Sequence, residues 1–183
     1  MQKIDYVNFD ELNIAPFKAT YILRPDLLTL AKSLIDFGFI VPVVVQSGTN
    51  FVIDGNERVS LAKINKHVKK AVGETCPVVF IDCDAIDAQM MHLRLNRSKG
   101  NLLAKPTSKI VKNLIKSKKF SKEDLEQILQ MKNDEFNILV DGSLIKNRKV
   151  STHNYSRAWV PVEADPKATE IPISIEKPLN PDR

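Results

Sequence analysis

The chain has 183 residues, of which 43% are hydrophobic and 27% charged, and its formal net charge is +5. This composition is typical of an ordinary soluble protein. The longest apolar run, residues 39–45, is too short to cross a bilayer, and the amino terminus lacks the apolar segment of a signal peptide, so we expect a cytoplasmic protein that does not bind membranes.

The cysteines and histidines argue against two kinds of site. Cys76 and Cys83 are the only cysteines, and at the ends of one predicted strand they would lie roughly 23 Å apart, too far for a disulfide. The histidines His67, His92 and His153 are not spaced with cysteine or acid as metal ligands are. We therefore expect a reducing compartment and no structural metal site.

The positive charge is concentrated in one segment. Residues 88–122 contain ten Lys or Arg and no Asp or Glu, so the rest of the chain sums to −5. A block of one sign indicates either a phosphate-rich partner, such as nucleic acid or nucleotide, or a solvated face. Both interpretations stay open on composition alone.

The first half of the chain predicts alternating strands and helices, which favours an α/β domain. In chain order we expect a strand and turn in "YVNFDELNI", a helix in "RPDLLTLAKSLIDF" stopped by Gly38, strands in "IVPVVVQ" and "FVID" joined by "SGTN", a short helix over residues 56–65, a strand in "CPVVFID", and a helix in "AIDAQMMHLRLN" capped by Asp84. The first helix is predicted to have an apolar face made of Leu27, Leu30, Ala31, Leu34 and Ile35. In the second helix the positions predicted to be buried are Val59, Leu61, Ala62 and Ile64.

The second half predicts helices alone. "TSKIVKNLIKSKK" places apolar residues on one face and a row of lysines on another, "FSKEDLEQILQM" opens with the capping box Ser121 and Asp124, and "NDEFNILV" forms a third helix capped by Asn133. The lysine row consists of Lys109, Lys112, Lys116 and Lys119. From Val150 onward the periodicity is lost and prolines accumulate, which predicts an extended tail with Tyr155 and Trp159 as candidate anchors.

The stretch "FVIDGNERVSLAK" places a glycine between a strand and a helix. Gly55 allows a tight turn that leaves the first amides of the helix free to face an anion, and Arg58 offers a planar fork to a phosphate. A simpler interpretation is that Asp54 caps the helix, Glu57 complements its dipole and Arg58 is solvated. The spacing alone does not decide between a phosphate site and a helix start.

Three blocks in this order carry a resemblance to a known family. A helix ending in glycine leads to a Pro-Ile/Val-x-Val strand at residues 42–45. A turn in which an apolar residue precedes DGxxR follows at residues 53–58, and an N-R-x-R/K-G segment lies at residues 96–100. Residues 4–100 thereby resemble the N-terminal domain of the ParB/sulfiredoxin superfamily, and residues 105–140 resemble the helical part that follows it in ParB-like proteins.

The resemblance implies a ParB/sulfiredoxin-like mixed sheet with helices, followed by a small all-α, helix-turn-helix-like domain. The expected boundaries are 1–104 for the α/β domain, 105–149 for the helical domain and 150–183 for the Pro-rich tail. It further implies a nucleoside triphosphate, CTP or ATP with Mg²⁺, and it allows a homodimer. The phosphate-binding candidates are Asp54, Gly55, Asn56, Arg58, Asn96, Arg97 and Lys99.

This sequence departs from the motifs of the superfamily at two points, and both restrict the expected function. The turn at residues 54–58 contains no cysteine, so sulfiredoxin activity is not expected, and Glu57 stands where partition proteins carry an arginine. A carboxylate beside a triphosphate repels it unless a divalent metal bridges the two. Glu57 is therefore a candidate catalytic base or Mg²⁺ ligand, and no other residue is predicted to bind metal.

The helices favour contact with the DNA backbone over reading of its sequence. "NDEFNILV" begins with Asp134 and Glu135, which phosphates repel, whereas the lysine row suits phosphate contacts that carry no sequence information. Three hypotheses follow: a nucleotide- and DNA-binding regulatory or partition-type protein, a nucleotide-dependent phosphotransferase or nuclease that uses Glu57, and a non-catalytic interaction module. Turnover and DNA-dependent binding separate them.

Overall fold

The structure of the protein, a computed structural model, describes residues 3–99 and 102–141. These residues form two compact units, one made of residues 3–15 and 22–83, the other of residues 16–21, 84–99 and 102–141. The predicted tail at 150–183, with Tyr155 and Trp159, lies outside the described residues, as does Gly100. The domain boundaries at residues 104 and 149 stay predictions.

The first unit is an α/β unit built on a sheet of five strands. Its elements are β1 (Asp5–Asn8), a 3₁₀ turn (Phe9–Glu11), β2 (Asn13–Ile14), α1 (Arg24–Phe37), β3 (Val43–Gln46), β4 (Phe51–Asp54), α2 (Asn56–Ile64), α3 (Lys66–Val72) and β5 (Thr75–Ile81). The strand order is β1-β5-β3-β4-β2, in which β1 with β5 and β3 with β4 are antiparallel, and β3 with β5 and β2 with β4 are parallel. The predicted mixed sheet is confirmed.

The core of this unit lies where helices α1, α2 and α3 pack against one another and the sheet. Val43, Val45 and Val52 from the strands, and Val59 and Ala62 from α2, are fully buried. These β-branched strand residues present one packed face, as sequence periodicity predicts. Helix α1 has its predicted Pro25 in the first turn and Gly38 at its carboxyl end, and Ala31 and Leu34 are buried on its inner face.

Two features of this unit differ from the expectation. Ile64 was predicted to be buried but is 60% exposed, because α2 ends there and Asn65 starts a new helix. The helix α3 was not predicted; it has seven residues and Val68 as its buried apolar residue, so its periodic pattern is weak. The side chain of Asn65 caps it by accepting hydrogen bonds from the amides of His67 and Val68.

The second unit contains four helices. They are α4 (Ala85–Arg97), α5 (Ala104–Lys116), α6 (Lys122–Leu129) and α7 (Asn133–Asp141). The predicted cap Asp84 accepts hydrogen bonds from the amides of Ile86 and Asp87, and the predicted capping box of Ser121 and Asp124 is present. Helix α7 begins at Asn133 itself, one residue earlier than a cap at that position would place it.

The helices of this unit enclose a core of their own. It contains Leu93 from α4, Val111 and Leu114 from α5, Leu125 from α6 and Phe136 from α7, each nearly inaccessible to water. Residues 16–21 belong to this unit because the amide of Leu103 donates to the carbonyl of Ala19 at 3.0 Å and Thr20 pairs with Leu102. Within the described ranges no helix is long and apolar enough to span a membrane.

Candidate functional site

The glycine turn lies between β4 and α2, as the sequence predicts. Gly55 has φ 100° and ψ 17°, a left-handed conformation that glycine adopts without steric cost. The chain reverses there, and the amide of Val59 donates to the Gly55 carbonyl at 3.1 Å as the first helical bond. The amides of residues 56–58 precede that bond and are the helix-terminal donors that suit an anion.

The guanidinium of Arg58 lies on the inner side of this turn. It donates to the carbonyl of Val41, and to the carbonyl of Pro42 at 3.4 and 3.5 Å, both in the loop that precedes β3. The Arg58 Nη2 atom lies 3.9 Å from the carboxylate of Asp54, and each of these two side chains is 15% exposed. In this conformation Arg58 holds the loop before β3 to the turn.

The position of Arg58 also explains why residue 55 is glycine. A Cβ atom at that position would lie 2.9 Å from Arg58 Nη2 and 3.3 Å from a methyl group of Val43. Two separate features therefore favour glycine at residue 55: its positive φ and the close approach of the guanidinium.

Burial lowers the pKa of the Arg58 guanidinium, and the negative charges of Asp54 and Glu57 act in the opposite direction, with Asp54 the larger of the two. Arginine remains protonated in proteins, so a buried guanidinium needs hydrogen-bond acceptors and negative charge around it. Glu57 is half-buried in the first turn of α2, and its negative charge helps to stabilise the charged guanidinium.

The thiol of Cys76 is part of the same environment. It is fully buried on β5, and burial raises its pKa to about 11 although Arg58 acts to lower it. A thiol with that pKa is protonated near neutral pH and is a poor nucleophile. Cys76 is therefore not a candidate nucleophile.

Asn56 has a structural contact rather than an exposed side chain. It is buried, and its Oδ1 atom accepts a hydrogen bond from the amide of Ala15 at 3.3 Å. The side chain thereby ties the start of α2 to the segment that follows β2. Its backbone amide, not its side chain, is the group that remains a candidate for binding phosphate.

The candidates Asn96, Arg97 and Lys99 from the later motif belong to the second unit. Asn96 is buried in α4 and donates to the carbonyl of His92 at 2.9 Å. Arg97 forms a two-pronged ion pair with Glu135 of α7, at 2.8 and 2.9 Å, and donates to the carbonyl of Gln130 at 3.1 Å. Lys99 is exposed.

The lysine row is shorter than predicted. Lys109, Lys112 and Lys116 lie exposed on α5. Helix α5 ends at Lys116, and Lys118 has φ 58°, so the chain has turned before it reaches Lys119. The ammonium of Lys119 instead pairs with Asp84 at 2.7 Å and with Asp87 at 2.6 Å.

Several partners in these arrangements were not predicted from the sequence. The carbonyls of Val41 and Pro42 carry no side-chain signal, and Glu135 was interpreted only as a charge that repels phosphate. His92 was interpreted only as a non-ligand, whereas it is buried and its Nε2 atom accepts from the amide of Ala19 at 3.0 Å. Its separation of four residues from Asn96 on one helix was the available signal. Across residues 3–99 and 102–141 no group of three or more metal-binding side chains occurs.

Comparison with solved structures shows which known fold the chain has. The chain is similar to the pNOB8-like ParB N-domain, with a TM-score of 0.52 and 16% identity, covering 76% of this chain and 64% of that one. A second crystal form of the Pnob8-like ParB-N domain gives a TM-score of 0.51 at 16% identity, covering 74% of this chain and 64% of that one. The chain has a ParB N-domain fold. It spans less than two thirds of these two ParB chains, and at this identity the likeness shows the fold alone.

A third similar structure is the C-terminally truncated chromosome-partitioning protein ParB from Caulobacter crescentus complexed with CTP-γ-S. Its TM-score is 0.45 at 16% identity, with 78% of this chain and 87% of that chain covered. A likeness at this TM-score supports no conclusion about this chain. No family model matches the sequence, and no curated protein matches it.

The Arg97–Glu135 pair predicts a pH-dependent stability. Its hydrogen bonds with Arg97 hold the pKa of Glu135 below the ordinary 4.5, so the stabilisation is present above that value and is lost as pH falls through the lowered pKa. Glu135→Gln should reduce the free energy of unfolding at pH 7 by at most about 1 kcal/mol, because the pair is partly solvated. Urea titrations at pH 7 and pH 3 measure this difference, which should be smaller at the lower pH.

Asp134→Asn is the matched control, because Asp134 is exposed in the same first turn of α7. It removes the same favourable interaction with the helix dipole without breaking an ion pair to Arg97. A loss in Glu135→Gln that is unchanged at pH 3, or that equals the loss in Asp134→Asn, would contradict a contribution from the ion pair.

Proposed function

We propose that this protein is a cytoplasmic nucleotide- and DNA-binding protein of the ParB-like regulatory or partition type. The observation that carries the proposal is the left-handed turn at Gly55, which opens helix α2 in a ParB N-domain fold. The proposed ligand is a nucleoside triphosphate, CTP or ATP, with Mg²⁺. The proposed assembly is a homodimer that contacts the DNA backbone.

The turn fits a phosphate through its backbone. The amides of residues 56–58 stand at the positive end of the helix dipole, and an anion there is stabilised by both hydrogen bonds and charge. Arg58 supports the site indirectly, because its contacts with Val41, Pro42 and Asp54 fix the turn in place. In the proposed site Asp54, Gly55, Asn56 and Arg58 thus shape the turn, and the amides bind the phosphate.

Lys99 is the candidate from the end of α4 whose side chain is exposed. The side chains of Asn96 and Arg97 are held by His92 and Glu135. A role for Asn96 and Arg97 in binding phosphate would require those contacts to be exchanged, so we assign them no more than a supporting part in the proposal.

Glu57 is the proposed contact for the metal. A Mg²⁺ ion prefers oxygen ligands and commonly binds one or two carboxylates together with the phosphates of a nucleotide, whose charge it neutralises. Glu57 is the carboxylate in the first turn of α2, directly after the proposed phosphate-binding amides begin. Its negative charge would otherwise repel the triphosphate.

The basic residues of α5 are the proposed DNA contacts. Lys109, Lys112 and Lys116 are exposed, and lysine binds phosphate as a point charge without reading base sequence. The first turn of helix α7 contains Asp134 and Glu135, and negative residues at that end are unsuited to entering a DNA groove. We therefore propose contact with the duplex backbone and weak sequence specificity.

A titration tests the whole proposal. Each of the four ribonucleoside triphosphates is added with Mg²⁺ to the full chain, with and without mixed-sequence duplex DNA, and binding and product formation are both recorded. Saturable binding of CTP or ATP together with DNA binding is the expected result. Product formation would favour the phosphotransferase or nuclease hypothesis, and no binding of either ligand would leave an interaction module.

Gly55→Ala should weaken binding of the triphosphate at least tenfold. The new Cβ atom would meet the Arg58 guanidinium at 2.9 Å and residue 55 would be strained at φ 100°, so the turn must shift. Gly48→Ala is a matched control, since Gly48 also has a positive φ of 78° but no atom within 4 Å of the added Cβ. Calorimetric titration of both variants measures the effect. Equal affinities in the two variants would place the ligand elsewhere.

Lys112→Gln combined with Lys116→Gln should lower the salt dependence of duplex binding. Each phosphate contact contributes about 0.9 to the slope of log K against log salt concentration, so we expect a decrease of about 1.8. Fluorescence anisotropy of a labelled mixed-sequence duplex between 50 and 200 mM salt measures the slope. Lys69→Gln with Lys70→Gln, on the exposed surface of α3, removes the same charge and should leave the slope unchanged.

Glu57→Gln should weaken Mg²⁺-dependent binding of the triphosphate, and excess Mg²⁺ should not restore it, because a metal ligand has been removed while the side-chain shape is kept. The measurement is a nucleotide titration at several Mg²⁺ concentrations. Tighter binding in the variant would show that Glu57 only repels phosphate and supports the helix dipole. If the wild type shows turnover that survives the substitution, Glu57 is not the catalytic base.

A further inference from the structure

A cavity of about 460 Å³ opens on the surface of the second unit, separate from the glycine turn. Its volume lies within the range of roughly 300–1,000 Å³ that small-ligand sites occupy. The segment after Ala15, helix α4 and helix α5 each contribute to its lining. The side chains that matter for its chemistry are Phe17, Lys18, Gln89, Lys105, Lys109 and Asn113.

The charge around this cavity is positive. Lys18, Lys105 and Lys109 are exposed at its edge, and no Asp or Glu is among the described residues that line it. The nearest acids along α4, Asp84 and Asp87, are both bound by the ammonium of Lys119. A concave surface with charge of one sign concentrates field lines and attracts a phosphate-bearing ligand.

Phe17 gives the cavity an aromatic wall whose position is fixed. The ring is half-buried and packs edge-on against His92, with 5.8 Å between ring centroids and 70° between planes. His92 is itself held, because its Nε2 atom accepts from the amide of Ala19 at 3.0 Å. A ring held in this way offers a stacking surface with little entropic cost on binding.

An amide pair completes the lining. Gln89 is buried, donates to the carbonyl of Ala85 at 3.1 Å and accepts from Nδ2 of Asn113 at 2.8 Å. This orients the amide of Asn113, which is exposed, toward α4. Amide groups of this kind hydrogen-bond to the edges of nucleobases.

We propose that this cavity binds an unpaired nucleotide of a single-stranded nucleic acid. Phe17 stacks on the base, the amide of Asn113 meets its edge, and Lys18, Lys105 and Lys109 contact the adjoining phosphates. Positive charge combined with an aromatic platform is the usual chemistry of single-strand binding. The cavity has the volume of a small-ligand site, so a base must be unpaired to occupy it, and the proposed ligand is single-stranded.

This site is separate from the nucleotide site proposed at Gly55, and it shares Lys109 with the proposed duplex surface, whose other members are Lys112 and Lys116. Those two lysines lie further along α5 and do not line the cavity. Helix α5 therefore contains two pairs of lysines that can be compared directly. In each pair the lysines are four residues apart and carry two positive charges. The pairs are Lys105 with Lys109, and Lys112 with Lys116.

The experiment compares these pairs with fluorescein-labelled dT₁₂ and with a mixed-sequence duplex of the same length, without nucleoside triphosphate. Lys105→Gln with Lys109→Gln should weaken dT₁₂ binding at least tenfold and lower its log–log salt slope by about 1.4. Lys112→Gln with Lys116→Gln should change dT₁₂ binding less than twofold. Fluorescence anisotropy gives both quantities, and circular dichroism confirms that the variants, which change only exposed lysines, are folded.

Phe17→Leu tests the base contact without changing charge. It should weaken dT₁₂ binding about fivefold or more, the scale of one lost stacking contact, and leave duplex binding and the salt slope unchanged. The proposal is overturned if both lysine pairs reduce dT₁₂ binding equally, because net charge alone would then explain the effect. It is also overturned if Lys105→Gln with Lys109→Gln weakens the duplex as much as dT₁₂, or if dT₁₂ does not bind the wild type.

Discussion

A guanidinium that is largely withdrawn from water must be met by acceptors, and the turn of the first unit satisfies that requirement for Arg58. The carbonyls of Val41 and Pro42 and the carboxylate of Asp54 surround it. Since the guanidinium lies against residue 55, that residue has no room for a Cβ atom. Gly55 adopts a left-handed conformation that glycine takes without steric cost, and the first amides of α2 follow it. The loop before β3, the turn and the helix start thus depend on one buried cation.

The neighbouring charges of Glu57 and Arg58 have a local explanation in this arrangement. Arg58 lies inward, and the charge of Glu57 opposes the effect of burial on the Arg58 pKa. A glutamate at this position is therefore compatible with an anion site whose donors are backbone amides, provided that a cation screens the carboxylate. The proposed Mg²⁺ fills that role, and the second unit keeps its own basic surface for nucleic acid.

Local patterns predicted the parts of the fold that local interactions determine. Helix α1 has a proline at its start, a glycine at its end and an apolar face, and all of these signals agreed with the structure. Helix α3 was not predicted because a short helix whose buried residue is Val68 has almost no apolar periodicity. Ile64 was wrongly predicted to be buried, because α2 ends there and the chain turns at Asn65. The DG turn was predicted, but the direction of Arg58 was not, since its acceptors lie 16 and 17 residues earlier. Likewise Glu135 lies 38 residues from Arg97, a pairing that tertiary structure alone creates.

The most direct test of the central claim is to follow the backbone amides of the ¹⁵N-labelled full chain by NMR during titration with CTP–Mg²⁺ and with ATP–Mg²⁺. If the turn built around Arg58 is the phosphate site, the amides of residues 56–58 should show the largest shifts for at least one of these nucleotides. The amide of Gly48, which also has a positive φ, should stay unchanged. Saturable nucleotide binding that leaves the amides of residues 56–58 unperturbed would contradict the account.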